Sequence, residues 1–295
     1  MINIYTHSRT FHSDELVAIM LLLKYYVGQN RYNIIRTRDS AILEKAKCDD
    51  KSFVIDVGFI YEPEMLNFDH HQNDSDLFWD DGSSLSSCGL IWKWLRENKY
   101  LHQHMNHKTM DLIEENLIKK VDAHDNGEDV WPVSEILCGF NRKTSDDSFI
   151  DKQFDRALKM THQYFDNFLY DLKGMISDEK SVNKAIKQSE NLEDIVISDN
   201  GIKTGPNFIS KYTNKKLFIS PRTSNSWTIR AVPVNPKEKE YRIYMPQQWR
   251  GLSGNELNNI SGLENLIFCH KSGYMCMLNG SKEDAISIAK KILST

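Results

Sequence analysis

Ser52-Phe53-Val54-Ile55-Asp56-Val57 is an apolar run broken by a single acid near its end. It lacks the alternation of a half-exposed strand and has the pattern of a strand covered on both faces, as in parallel sheets flanked by helices. The surrounding residues agree. Upstream, Ile2-Asn3-Ile4-Tyr5 reads as a strand, and Ser13 stands as a cap for a helix from Asp14-Glu15-Leu16 to about Tyr26. Residues 33–36 read as a short strand and 39–47 as a helix, and helical patterns cover 86–98 and 106–121. This alternation predicts an α/β fold whose N-terminal domain is a parallel sheet with helices on both faces.

The pattern changes along the chain. Residues 149–188 read as mostly helical, with Phe154, Tyr164, Phe165 and Phe168 at the spacing of a packing stripe. Short β-like runs follow at 194–197, 216–219, 227–232 and 266–269, with turn signals at Asn200-Gly201 and Gly205-Pro206. A last helix starts at Ser281, with Asp284 at capping-box spacing, and runs to about Leu293. Two domains are expected: residues 1–190, and a smaller, basic α+β domain with a mixed sheet at 191–295. The length of 295 residues suits that division.

The net charge of −4 conceals an asymmetry: residues 1–200 carry a balance of −12 and residues 201–295 one of +8. An acidic part suited to cations and a basic part suited to a polyanion suggest a division of labour. No apolar run approaches the roughly 20 residues needed to span a bilayer, so no membrane partner is expected. The N-terminus has neither a signal-peptide nor a transit-segment pattern. Five cysteines are scattered without a Cys-x-x-Cys spacing, which fits free thiols in a reducing, intracellular compartment, cytoplasmic or nuclear.

Four segments carry metal-ligand residue types where an α/β fold places its sites, beyond the carboxyl ends of strands. They are His7 to Glu15 with His7, His12 and Asp14; Asp56; Asp69-His70-His71; and Asp122-Ala123-His124-Asp125 before Asn126-Gly127. Carboxylates with neutral imidazoles favour Mn²⁺, Mg²⁺, Co²⁺ or Zn²⁺ over Ca²⁺ or copper. Two such cations sharing a carboxylate suit in-line displacement at phosphorus. Taken singly, each segment has a plainer reading. His7 fits a satisfied core histidine, Asp14 a helix N-terminus, and Asp122 and Asp125 turn residues.

In their order, His7…His12-x-Asp14, Asp56, Asp69-His70-His71 and Asp122 resemble the motifs of the DHH phosphoesterase superfamily. That group includes RecJ-type nucleases, manganese-dependent inorganic pyrophosphatases, and phosphodiesterases of nanoRNA and cyclic dinucleotides. The sequence is more closely similar to its MYG branch, named for a melanocyte proliferating gene. Thr6-His7 with Phe11-His12-x-Asp14-Glu15, Asp69-His70-His71-Gln72, and Leu85-Ser86-Ser87-x-Gly89-Leu90-Ile91 carry the resemblance. So do Asp122-x-x-Asp125-Asn126-Gly127, Trp249-Arg250-Gly251-Leu252, and Ile267-Phe268-x-His270-x-Ser272-Gly273. Many superfamily members have His-x₃-Asp-x-Asp in the first motif, where this chain has His7-x₄-His12-x-Asp14.

The resemblance implies a DHH-type first domain and a 3′→5′ exonuclease acting on RNA, with two divalent cations, Mn²⁺ first and Mg²⁺ or Co²⁺ as alternatives, at a cleft between the domains. It implies that His7, His12 and Asp56 hold one metal and that Asp14, Asp56, His70 and Asp122 hold the other, with Asp56 as bridge. Asp125 is the alternative to Asp122. His71 is then the acid or hydrogen-bond donor to the phosphate, and Asp69 orients a neighbour. Arg222, Arg230, Arg250, His270 and Lys271 are the implied phosphate-gripping residues, and Trp249 a base-stacking one. The implied glycine-rich segment is bulky here, with Tyr274-Met275-Cys276-Met277-Leu278 between Gly273 and Gly280.

Three functions compete. The first is the exonuclease on single-stranded RNA or a short oligonucleotide. The second is a phosphohydrolase of small nucleotides or inorganic pyrophosphate, and the third a metal-stabilised nucleic-acid-binding protein without turnover. The converging acids and histidines argue against the third. Sequence leaves the oligomeric state open, a homodimer included.

Overall fold

A computed structural model describes residues 1–72, 77–236 and 238–295. The chain forms two compact units, Met1–Leu172 and Lys173–Thr295. Residue 190, where the sequence pattern turns to short strands, lies just past the end of a long helix, whereas the units divide inside that helix.

In the first unit, strand β1 (Ile2–Thr6) leads into helix α1 (Ser13–Leu22), which continues as a π-helical turn to Val27. His12, not Ser13, takes the cap position of α1. Strand β2 (Tyr32–Arg36) and helix α2 (Ser40–Lys47) follow, with Asp39 capping α2 through the backbone N–H groups of Ala41 and Ile42. Strand β3 (Ser52–Ile55) is buried throughout, as its apolar run requires. Two short strands come next, β4 (Tyr61–Glu62) and β5 (Asn67–Phe68). Helices α3 (Ser87–Glu97), α4 (His107–Ile113), α5 (Lys119–Asp125) and α6 (Pro132–Cys138) complete the unit's shorter helices. The sheet order is β2-β1-β3-β5-β4, parallel except for the β4 edge.

That order positions the site. Strands β1, β3 and β5 are adjacent and parallel, so their carboxyl ends lie along one edge. Tyr5 pairs with Val54 and Ile55 with Phe68. Carried past the strand ends, this register sets His7 beside Asp56 and Asp56 beside Asp69.

Helix α7 (Asp147–Gln188) spans the division between units. The second unit contains β6 (Ile195–Ile197), α8 (Gly205–Tyr212), β7 (Leu217–Thr223), β8 (Ser226–Ala231), α9 (Gly254–Ser261), β9 (Leu266–Cys269), β10 (Met275–Asn279) and α10 (Lys282–Leu293). Its sheet, ordered β6-β7-β8-β10-β9, is mixed, with only β6 and β7 parallel. The bulky residues between Gly273 and Gly280 are explained by β10: they are a paired strand between β8 and β9. Ser281 and Asp284 form the capping box of α10, each side chain bonded to the other's backbone N–H. No helix among the described residues is long and apolar enough to cross a membrane.

Trp249, expected to stack on a base, is instead 2% exposed and packed in the core of the second unit with Leu257, Cys269 and Ala285 among others. Neither face of the indole is open to a base. Trp249→Ala should therefore destabilise the protein by about 3–5 kcal/mol, the range for removing a buried large aromatic. Denaturant unfolding followed across the transition checks this, and a change under about 1 kcal/mol would place the ring outside the core.

Candidate metal centre

Three strand ends and two helix ends supply the site, all within the first unit. His7 follows β1 and is buried, with Nε2 3.0 Å from Asp56 Oδ2 and 3.2 Å from Glu15 Oε1. Asp56 follows β3 with φ +53, a left-handed conformation strained for a residue with a Cβ, though one that Asp tolerates better than most. Its second oxygen lies 3.5 Å from His70 Nε2 and 3.5 Å from His71 Nδ1. His70 Nε2 also lies 3.2 Å from Asp125 Oδ2, at the end of α5. Asp69, after β5, accepts from Phe59 N–H at 2.7 Å and from both the backbone N–H and Nδ1 of His71. Its two oxygens thus hold the Phe59 backbone and His71, and it lines the same cavity as His7, Asp56 and His71.

Side chains converge in three overlapping groups with metal-ligand spacing. These are His7, His12, Glu15 and Asp56; Asp56, His70 and His71; and His12, Asp14 and Asp125. Asp56 belongs to two groups and His12 to two. Asp14 and Glu15 are neighbours on α1, whose side chains point about 100° apart. One helical turn therefore serves different groups.

The electrostatics call for a cation. Asp14 is fully buried, and neither carboxylate oxygen has a hydrogen-bond partner among the described residues. Burial, with Asp56 and Asp125 nearby, pushes its carboxyl well above the ordinary range. An unpaired buried carboxylate is among the costliest groups a fold can contain, and a bound cation removes the cost. Asp56 is held well below the carboxylate range: burial works against this, but its bond to His7 and the nearby His70 imidazole prevail. Burial would lower both histidines, yet the carboxylates around them raise His7 and His70 to about 10. Metal entry must displace those protons. The residues present fit divalent cations.

Glu15 was not among the expected ligands. It is fully buried and both its oxygens accept from His12 N–H. Its sequence signal was the adjacent pair Asp14-Glu15, which reads equally as charge support for a helix start.

Residues 3–293 match the family model MYG1_exonuc, described as an uncharacterised protein family (UPF0160). The chain belongs to the MYG1 family. It is 29% identical to the MYG1 protein of Dictyostelium discoideum over 326 aligned positions, covering 99% of this chain and 97% of that one. It is 27% identical to the human MYG1 exonuclease, covering 98% of this chain and 85% of that one. Among solved structures, RecJ from Thermus thermophilus in complex with Mn²⁺ is similar at 11% identity and a TM-score of 0.29. The match covers 98% of this chain and 51% of RecJ, and is too loose to place residues by.

In this MYG1 family member Asp122, the expected ligand, stands apart from the three groups. Its Oδ1 accepts from Ser86 Oγ at 2.6 Å and Gly89 N–H at 2.9 Å, and its Oδ2 from Trp79 Nε1 at 2.7 Å. A Cβ on Gly89 would collide with Asp122 Oδ2, so the Ser86-Ser87-x-Gly89 motif is the socket for this carboxylate. Asp125, one helical turn on, reaches the cluster instead.

The basic residues expected to grip phosphate are placed unevenly in the second unit. Arg230 donates to the carbonyls of Ile202 and Lys203 and lies over the Phe218 ring. Arg250 donates to Met245 O and lies over Tyr244. Each holds its own unit's backbone together. His270 Nδ1 accepts from Ser272 N–H, and Arg222 and Lys271 are exposed. Arg222, Arg230 and Lys203 line a shallow cavity of about 330 Å³.

Burial raises the Asp122 carboxyl to about 7, against the downward pull of Ser86, Trp79 and Gly89. A carboxyl raised on folding binds its proton more tightly in the folded state, so its contribution is full in acid and is lost as pH rises from about 4 through 7. Asp122→Asn, which keeps an acceptor but cannot ionise, should gain stability relative to wild type over that window. Thermal unfolding of both proteins at pH 5 and pH 8 tests it. A constant difference would show that Asp122 does not titrate there.

Proposed function

We propose that this chain is a metal-dependent phosphodiesterase that shortens RNA from the 3′ end with two divalent cations, Mn²⁺ foremost. The observation that carries the reading is Asp56, one strained carboxylate with His7 on one oxygen and His70 and His71 on the other. The unpartnered Asp14 beside it supports a cation site, and kinship with a protein named MYG1 exonuclease supports the nuclease class. RNA as substrate is what the resemblance of the motifs to the MYG branch implies.

On this reading His7, His12 and Glu15 with Asp56 hold one cation, and Asp14, Asp125 and His70 with Asp56 hold the other. Asp125 replaces Asp122 as the ligand. When bound, the cations supply charge that stabilises the developing charge at phosphorus and makes water a better nucleophile. The chain's own contribution is His71. Asp69 occupies its Nδ1 at 2.7 Å, which leaves Nε2 to hold a proton toward the phosphate. The Asp69 bond raises the His71 imidazole above its ordinary value, against the opposing effect of burial. Exposed Arg222 and Lys271 in the second unit are the candidates for backbone phosphates, with Arg230 on the wall of the same cavity as Arg222.

The deciding assay incubates the purified chain and Mn²⁺ with end-labelled RNA, DNA and pyrophosphate side by side. RNA laddering from the 3′ end is expected, and release from pyrophosphate alone would favour the small-substrate phosphohydrolase. Asp56→Asn should abolish turnover with the fold intact, and Asp125→Asn should weaken Mn²⁺ binding where Asp122→Asn does not.

His71→Ala should retain metal and lose about 10²–10⁴-fold in rate, the usual worth of general acid–base assistance. Metal titration of the same variant separates the roles, since a lost metal position would make His71 a ligand.

A further inference from the structure

The cavity at the metal centre is lined in part by an arginine and a phenylalanine with no part in holding cations. About 150 Å³ in volume, it is walled by His7, Asp56 and His71, and also by Arg38 and Phe59. Phe59 is 74% exposed, more than any other phenylalanine among the described residues. A single exposed ring is ordinary on a protein surface. This one is different in two respects. Its φ is +56, a left-handed conformation that a bulky residue adopts only when the surroundings impose it. The tether is Phe59 N–H to Asp69 Oδ2 at 2.7 Å, while Asp69 Oδ1 holds His71. One buried carboxylate thus fixes both the exposed ring and the histidine, whose ring centroids are 6.2 Å apart.

Arg38 is the second feature. In this acidic part of the chain Arg9 pairs with Asp147 and Arg36 with Asp151. Arg38 is exposed, donates from Nε to Ser8 O, and forms no ion pair among the described residues. An unpaired guanidinium on the wall of a carboxylate-rich cavity is suited to an anion, and its planar fork matches phosphate oxygens.

We infer that Phe59 and Arg38 form a subsite for the terminal nucleotide, with its base stacked on the Phe59 ring and a phosphate against Arg38. This rests on the phosphodiester hydrolysis proposed above. Every base has a π-face, so the subsite accepts any nucleotide end and requires only that a base be present. It gives the site a means of distinguishing a nucleic-acid end from free phosphate or pyrophosphate.

The test uses the full chain with Mn²⁺ and two RNA oligonucleotides of equal length, one with a normal 3′-terminal residue and one abasic there. Wild type should cleave the normal end with kcat/KM roughly tenfold higher, mostly through KM. Phe59→Ala should lose that preference while binding Mn²⁺ as wild type does, and Phe59→Tyr should keep it. Arg38→Gln should raise KM for both substrates alike and make it less dependent on salt. Cleavage of both ends with equal efficiency by wild type, or an unchanged preference in Phe59→Ala, overturns the subsite and leaves the hydrolase reading standing. No cleavage of any oligonucleotide by wild type overturns the hydrolase reading, and the subsite with it.

Discussion

The first unit depends on one electrostatic constraint: several carboxylates are buried at one edge of a parallel sheet with too few donors to satisfy them. Asp14 is the extreme case, fully buried with both oxygens unpartnered among the described residues. Leaving such a group ionised in a protein interior costs more than most folds can bear. The histidines answer part of the charge, since Asp56 lies between His7 and His70. The remainder is negative charge, gathered where strand ends and a helix start meet, that a bound cation would offset.

Register is what makes the cluster possible. Parallel pairing of β1, β3 and β5 brings residues from positions 7, 56 and 69–71 to one edge, although two helices and a strand separate the first two in sequence. The backbone bears strain there, with left-handed Asp56 and Phe59 on either side of Val57-Gly58. Strained non-glycine residues persist only where surrounding bonds over-determine them. Here the bonds are identifiable: Asp56 N–H to Phe68 O, and Phe59 N–H to Asp69. The same carboxylate then steadies His71, so the positioning of the histidine and the shape of the loop are a single arrangement.

Asp122 and Asp125 illustrate how differently two acids close in sequence can be placed. They are one turn apart on α5 and face different surroundings. Asp122 is enclosed by Ser86, Gly89 and Trp79 and ties α5 to the start of α3. That anchor places Asp125 beside His70 and within reach of Asp14. The second unit shows the same economy, since Arg230 and Arg250 secure backbone carbonyls and leave more exposed cations for solvent-side contacts.

By itself the sequence determined the layered α/β plan, because an apolar run such as Phe53-Val54-Ile55 is stable only when covered on both faces. It also marked the segments whose acids and histidines converge, since such residues at predicted strand ends have few structural reasons to recur in that order. The capping box of α10 was readable for a local reason, as Ser281 and Asp284 need only each other. Tertiary structure alone showed that Asp122 is enclosed and Asp125 lies beside His70, for one helical turn separates them and only packing against α3 says which is enclosed. It alone brought Glu15 beside His7, buried Trp249 in a core, and made a strand of Met275–Asn279. Those outcomes depend on neighbours far away in the chain, and a one-dimensional pattern carries propensities and spacings but not the three-dimensional pairing that chooses among them.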